Sequence, residues 1–349
     1  MSEILVADIG GSKSRFALVN AAGRPELVGR IENDTVANLE AAVANYLQQT
    51  GARPQQAIFA VAGPIGGDEI ALTNRDWRFK RDEFARRFDF ARLGIVNDFE
   101  AIAWALPRLR ADETRVLGKG ALVREGVKVV LGPGTGLGVA AIFPIQEHDP
   151  EKWAPLFGRR SCSNKKVEQD GEPNKNNPAL TQWHVLASEG GHASFSPQAA
   201  DELEPFARMR EQCGPLSGEM VLSGGGLLRL ARVLDRLCPF DTPETVIANA
   251  LAGDPMALAT TRLFIRLLGR FAGGLALTFK AMGGVYVAGG VASGLGPLLD
   301  QPEFRAAFEA HPPHAALLRT IPTMLITADE PGLIGCAALA QMTGAPQTT

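Results

Sequence analysis

Asp98 closes the apolar run LGIVND and opens FEAIAWALPRL, whose apolar residues recur at helical spacing. The change of period marks a strand-to-helix junction at Asn97-Asp98, and α/β folds bind ligands at such strand ends. A carboxylate held at the rim of a cleft can accept the proton of a hydroxyl that attacks a phosphoryl group. It can equally cap the helix that follows, a position Asp favours. The tetrapeptide by itself does not choose between the two roles.

Ser188-Glu189-Gly190-Gly191-His192 places an acid and an imidazole three residues apart across two glycines, so both side chains can converge on one small polar ligand. Neutral sugars are bound by sets of Asn, Asp, Glu and His, because each buried hydroxyl needs a partner. A lone histidine is more often structural. A metal site on Glu189 and His192 is disfavoured, since no further His or Cys lies at ligand spacing. Glu219, in GEMVLSGGGL, precedes an apolar run and a glycine turn and alone reads as a surface acid.

Two glycine turns complete the chemistry. In Asp8-Ile9-Gly10-Gly11-Ser12 the missing side chains let an anion approach backbone N–H groups. Asp8 could hold Mg²⁺ directly or through water, and the Ser12 hydroxyl could touch phosphate; a plain tight hairpin is the alternative. Gly132, Gly134, Gly136 and Gly138 lack the spacing of the dinucleotide fingerprint, and no glycine is followed by the GK[ST] of a Walker A loop. A nucleotide gripped between two facing hairpins fits better.

The elements that must position these residues show a weak internal repeat. Residues 4–19 and 128–143 each read as apolar strand, glycine-rich turn, apolar strand, the pattern of a β-hairpin. A third apolar–glycine junction, VYVAGGVASGLG, covers 285–296. Periodicity predicts helices over 39–49, about 201–212, 226–236, 255–282 and 332–342, and strands at 56–62 and in TMLITA. Residues 144–186 are polar, without sustained period, and read as a long surface insertion.

With 349 residues, 46% of them hydrophobic and 21% charged, the chain has material for two domains with real cores. A formal charge of -3 with scattered Lys and Arg argues against nucleic acid as a partner. No apolar run approaches the roughly 20 residues of a membrane span, and the first ten residues carry acids where a signal peptide carries bases, so a cytoplasmic protein with no membrane partner is expected. Cys162, Cys213, Cys238 and Cys336 are far apart in sequence and read as free thiols.

In order along the chain, LVADIGGSKSRFALV, AVAGPIGGDEIALTNRDWRF, IVNDFEAIAWALPRL, LGPGTGLGVA, SEGGHASFSP, EMVLSGGGLLRL, GRFAGGLAL, VYVAGGVASGL, FRAAFEAH and DEPGLIGCAAL resemble the bacterial glucokinase family. That family is a branch of the hexokinase and actin-like ATPase superfamily. The resemblance implies a two-domain α/β fold of the actin-like (ribonuclease H-like) type with a cleft between the domains. Residues 1–108 with 329–349 would form the small domain and 109–328 the large one.

The resemblance further implies ATP-dependent phosphorylation of glucose at its 6-hydroxyl, with Asp98 as general base. Asn97, Asp98, Glu189, His192 and Glu219 would bind the sugar. Asp8, Gly10, Gly11, Ser12, Gly134, Thr135 and Gly136 would surround the ATP phosphates, Gly289 and Gly290 would lie near the adenosine, and Asp8 would hold Mg²⁺. A homodimer is expected. Alternatives are a kinase for another hexose or amino sugar, and a sugar-sensing regulator on a kinase scaffold. The regulator should carry a helix-turn-helix extension or lack the base, whereas this chain starts at its first strand and keeps Asp98.

The sequence departs from the family pattern at Ser12-Lys13, where Thr-Asn is usual, so nucleotide binding is expected to be altered by the Lys13 charge. Ser194 and Ser196 stand where Asp and Ala are common, and SGGG replaces SGPG. The 144–186 insertion is expected to form a flap or an oligomer contact.

Overall fold

The computed structural model describes residues 4–63, 65, 67–73, 75–145 and 183–343. The first half builds β1 (Ile4–Ile9), β2 (Lys13–Val19), β3 (Pro25–Glu32), β4 (Gln56–Val61), β5 (Glu69–Ala71), β6 (Arg78–Lys80) and β7 (Arg92–Asn97). The second builds β8 (Thr114–Gly118), β9 (Lys128–Pro133), β10 (Leu137–Pro144), β11 (Trp183–Ser188), β12 (Val285–Val287) and β13 (Thr323–Ile326). One five-stranded sheet runs β3-β2-β1-β4-β7 and one six-stranded sheet runs β11-β10-β9-β12-β13-β8, while β5 and β6 pair apart.

The two large sheets repeat one plan. In the first, β1 is antiparallel to β2 and parallel to β4, which is parallel to β7. In the second, β9 is antiparallel to β10 and parallel to β12, which is parallel to β13. The hairpin repeat seen in the sequence is thus one part of a duplicated sheet, and β8 is the added strand.

Each sheet is covered on both faces, as parallel strands require. Alternation along β1 sends Leu5, Ala7 and Ile9 to an outer core with Phe16, Leu39, Val43 and Phe84, and Val6 to an inner core. The inner cores hold two helices, Asp98–Ala105 and Pro331–Thr343, which pack on each other between the sheets. A β-carbon at Gly335 would overlap the Ala101 carbonyl, so glycine there lets the helix backbones meet. The largest core lies outside the second sheet, where Val129, Leu131 and Val139 meet the long helix Pro255–Phe279.

Helix bounds follow local chemistry. Leu39–Thr50 begins where the Asn38 side chain accepts the Ala41 N–H and ends at Gly51, in the left-handed region at φ 70. Pro255–Phe279 begins at Asp254, which caps Ala257, with proline in the first turn. The other helices predicted from periodicity appear as Ala200–Cys213, Gly224–Leu234 and Pro331–Thr343.

One expectation needs correction. The polar stretch 144–186 does not remain irregular to its end, because β11 begins at Trp183 and pairs with β10, Pro144 against Trp183. β11 is an edge strand with mostly exposed or half-exposed residues, so no run of buried apolar side chains announces it. The flap or oligomer contact expected of the insertion concerns 146–182, outside the described residues, as does Cys162. Cys213, Cys238 and Cys336 are free thiols.

Candidate active site

The register aligns the strand ends. Ile9 stands level with Val61, and Val61 with Asn97, so the carboxyl ends of β1, β4 and β7 share one edge. Asp8 continues the inward row of Ile4 and Val6 and stands level, through Ala60, with Val96, while Asp98 follows the end of β7 as the first residue of the next helix. In the second sheet the turn after β9 and the end of β12 meet, with the Ala288 N–H donating to the Leu131 carbonyl. Both sheets therefore present carboxyl ends to the same region.

At the first turn, Gly10 N–H donates to Lys13 carbonyl at 3.0 Å. Buried Asn33 donates to the carbonyls of Gly10 and Gly11 at 2.8 and 3.1 Å, and its Oδ1 accepts the Ser14 hydroxyl. Arg75 donates to Gly11 carbonyl and to Asp34, with its guanidinium over Trp77. The N–H groups of Gly11, Ser12 and Thr135 donate to no backbone acceptor among the described residues, which leaves them available to an anion. Lys13 is drawn aside to exposed Glu32 at 2.8 Å.

Arg15, paired with Asp8 across the hairpin, holds Glu330 at 2.6 Å and stands 3.7 Å from Asp8. Arg30 holds the other oxygen of Glu330 at 2.8 Å. Burial pushes the Asp8 carboxyl up to about 6 against the pull of Arg15, with Asp98 and Glu330 raising it further. Gly332 packs on this carboxylate, and a β-carbon there would stand 3.1 Å from it.

The junction after β7 settles the cap. Asn97 is the N-cap of Asp98–Ala105, its Oδ1 accepting the Phe99 N–H at 2.9 Å. Asp98 is the first helical residue; its Oδ1 also accepts that N–H at 2.9 Å. Burial raises the Asp98 carboxyl, the Phe99 N–H and the Asn97 side chain oppose the rise, and Glu189 adds to it. A carboxylate destabilised by its surroundings is a better proton acceptor.

Glu189, His192 and Glu219 come together as the spacing suggests. His192 Nδ1 lies 3.3 Å from Glu189 and its Nε2 3.6 Å from Glu219. Glu189 and His192 are largely exposed, at 85% and 61%, whereas Glu219 at 34% is held by a second bond. Its Oε2 accepts the Leu137 N–H at 2.9 Å, and a side chain on Gly136 would strike that oxygen. Glu219 lies in the short helix Gly218–Leu222, started by Ser217, and so ties Glu189 and His192 to the second glycine turn.

That turn is pinned elsewhere too. Gly134 N–H donates to Gly136 carbonyl, and Gly224 N–H to Gly134 carbonyl, both at 2.8 Å. Gly289, at φ 91, lies against the Pro133 carbonyl, and Gly290 starts the next helix with open space before it. Thr135 sits exposed at the tip. No backbone hydrogen bond joins the turn of Gly10, Gly11 and Ser12 to this second turn among the described residues.

Asn33, Arg75, Glu330 and Arg15 were not legible as site residues, because each acts on a partner far away in sequence. The one local signal was charge: Glu330 and Arg15 fall inside stretches that match the family pattern.

Comparisons with known proteins agree with this arrangement. The family model described as Glucokinase matches residues 5–155 and 177–343. A glucokinase of Mesorhizobium japonicum is 36% identical over 347 residues, covering 97% of this chain and 91% of its own length. The crystal structure of a glucokinase from an Antarctic psychrotroph superposes with TM-score 0.79 at 29% identity, covering 98% of this chain and 99% of that one. A ROK family glucokinase from Streptomyces griseus, solved with glucose and AMPPNP, has TM-score 0.61 at 20% identity, covers 98% and 100%, and shares the fold.

Proposed function

The chain belongs to the glucokinase family, and on that premise we propose that it transfers the γ-phosphoryl group of ATP to the 6-hydroxyl of glucose with Asp98 as the base. The observation that carries the base assignment is the junction itself. Asn97 takes the capping role, so the half-buried Asp98 carboxylate, with one oxygen on the Phe99 N–H, keeps its second oxygen for a substrate proton.

In this reading Asp98 accepts the proton as the sugar oxygen bonds to phosphorus and the bond to the ADP oxygen breaks. Asn97, Glu189, His192 and Glu219 orient the sugar through its hydroxyls. Gly10, Gly11, Ser12, Gly134, Thr135 and Gly136 surround the phosphates, with the free N–H groups of Gly11, Ser12 and Thr135 turned to them and those of Gly10 and Gly134 closing their own turns, and Gly289 and Gly290 lie near the adenosine. The division into domains 1–108 with 329–349 and 109–328 is part of the proposal, supported by the separate cores of the two sheets. Closure would keep water, a competing hydroxyl, from the phosphoryl group.

The donor set at Asp8 fits Mg²⁺. Asp8 has Asp98 and Glu330 as negative neighbours, and no group of three or more His, Cys, Asp or Glu suited to a metal occurs among the described residues. A cation held by one carboxylate, waters and phosphate oxygens is the habit of Mg²⁺. When bound it would neutralise charge on the phosphates. A cytoplasmic, homodimeric enzyme belongs to the same proposal and rests on the family alone; no helix of the described residues is long and apolar enough to cross a membrane.

The test is a coupled phosphorylation assay over a panel of hexoses and amino sugars with ATP and Mg²⁺. Glucose should give the highest kcat/KM; preference for another acceptor would overturn the substrate assignment.

A further inference from the structure

Gly132 and Gly138 are cross-strand partners at the base of the second glycine turn. Alternation puts both on the inner face of that sheet, in the rows of Val130, Ala140 and Ile142, which pack under Asp98–Ala105. The ring of Phe99 lies on this pair. A β-carbon on Gly138 would overlap Phe99 Cδ2, and one on Gly132 would overlap its Cζ. The two glycines are therefore a flat seat that any other residue would fill.

Phe99 is also fixed at its backbone. Its N–H donates to both Asn97 Oδ1 and Asp98 Oδ1 at 2.9 Å. One residue thus grips the candidate base through its N–H and the phosphate-side hairpin through its ring. The opposite helix, Pro331–Thr343, offers a contrast: its second residue is Gly332, which makes room for the Asp8 carboxylate where Phe99 fills a slot.

We propose that Phe99 is a positioning residue: its ring, seated on Gly132 and Gly138, sets the offset between the Asp98 carboxylate and the glycine turn that faces the phosphates. This rests on Asp98 being the base. Sugar and nucleotide contacts come from other residues, so loosening the seat misplaces the reacting groups without emptying either binding site. A misplacement of about 1 Å can cost on the order of a hundredfold in rate. The filled seat also explains the absence of side chains at both glycines without appeal to turn conformation.

The test is steady-state kinetics and thermal melting on the full chain carrying Phe99→Ala, Phe99→Leu, Gly138→Ala and the pair Phe99→Ala with Gly138→Ala. Phe99→Ala should lower kcat by about 10- to 100-fold while KM for glucose and ATP shifts less than about threefold. Phe99→Leu, which refills the seat, should recover to within about fivefold of the parent. Gly138→Ala should lower kcat in the parent but not further in Phe99→Ala, since the clash is with the ring.

A kcat for Phe99→Ala within twofold of the parent, or a loss confined to KM, overturns the positioning role. Should Phe99→Ala fail to fold, the kcat of Phe99→Leu and of Gly138→Ala decides, and unchanged values in both overturn it. Asp98→Asn separates the two readings. If it abolishes turnover while Phe99→Ala spares kcat, only the positioning role falls; if it spares turnover, the base assignment falls and takes this inference with it.

Discussion

After β7 the chain enters a helix at Asn97-Asp98; after β13, in the matching place of the second sheet, it does so at Glu330-Pro331. Each junction carries an acid, Asp98 as the first helical residue and Glu330 one place before its helix, and the two are used differently. Glu330 spends both carboxylate oxygens on Arg15 and Arg30, at 2.6 and 2.8 Å. Asp98 has no arginine or lysine partner among the described residues and is raised by burial instead. The hairpins differ in the same way: the first turn carries Asp8 and is clamped by Asn33 and Arg75, whereas the second carries no acid of its own and borrows Glu219. Duplication supplied two equal frames, and the side chains at the strand ends made one electrostatic and the other steric.

Breaking that comparison at Asp8 should have the largest effect after Asp98 itself. Asp8→Asn should lower kcat with Mg²⁺ by about 100-fold or more and weaken Mn²⁺ binding measured by titration. The same change should stabilise the fold. The folded carboxyl binds its proton more tightly than the unfolded one, 3.8 rising to about 6, so its ionisation costs stability as pH rises through that window. Removing the charge should therefore add up to about 3 kcal/mol at pH 7.5, read by chemical denaturation. Equal or lower stability would contradict the burial argument.

Glu219→Gln keeps the shape but weakens the acceptor for Leu137 N–H and the partner of His192. KM for glucose should rise about tenfold, with a smaller fall in kcat. The pH profile tests both halves together. Asp8, raised to about 6, and Asp98, raised above the ordinary carboxylate range, must both be ionised to act, so kcat/KM should fall at a pH above the usual carboxylate range rather than near 4. A flat profile down to pH 5 would dissociate the mechanism from these groups.

Smaller effects belong to the structural junction. Glu330→Gln frees Arg15 to turn toward Asp8, and turnover should fall by less than about tenfold, far less than at Asp98. Smallest of all, Lys13→Asn should leave KM for ATP within about twofold, because the Lys13 charge is exposed and turned to Glu32. A larger change would bear out the altered nucleotide binding expected from that departure in the sequence.

Much of this was legible beforehand. Both hairpins, the β7 junction and the convergence of Glu189 with His192 follow from period and spacing, which are local properties. Glu219 follows from no local property, since alone it resembles any surface acid; the family resemblance named it, and the structure adds its bond to the Leu137 N–H, 82 positions away. Which residue caps the helix after β7 was likewise undecidable until Asn97 was seen at the N-cap, and the base role of Asp98 remains a proposal. Asn33 under the first turn and Phe99 on its glycine seat are tertiary contacts with no periodic signature. β11 escaped notice because an exposed edge strand needs no apolar alternation.

The central claim is that Asp98, unlike its counterpart at Glu330, is left open to take a proton. Asp98→Asn preserves an oxygen for the Phe99 N–H and so should preserve the junction. Single-turnover phosphorylation of glucose, with glucose affinity measured alongside by calorimetry, should show a rate lowered by about a thousandfold or more and a Kd within about threefold. A rate within tenfold of the parent would contradict the assignment.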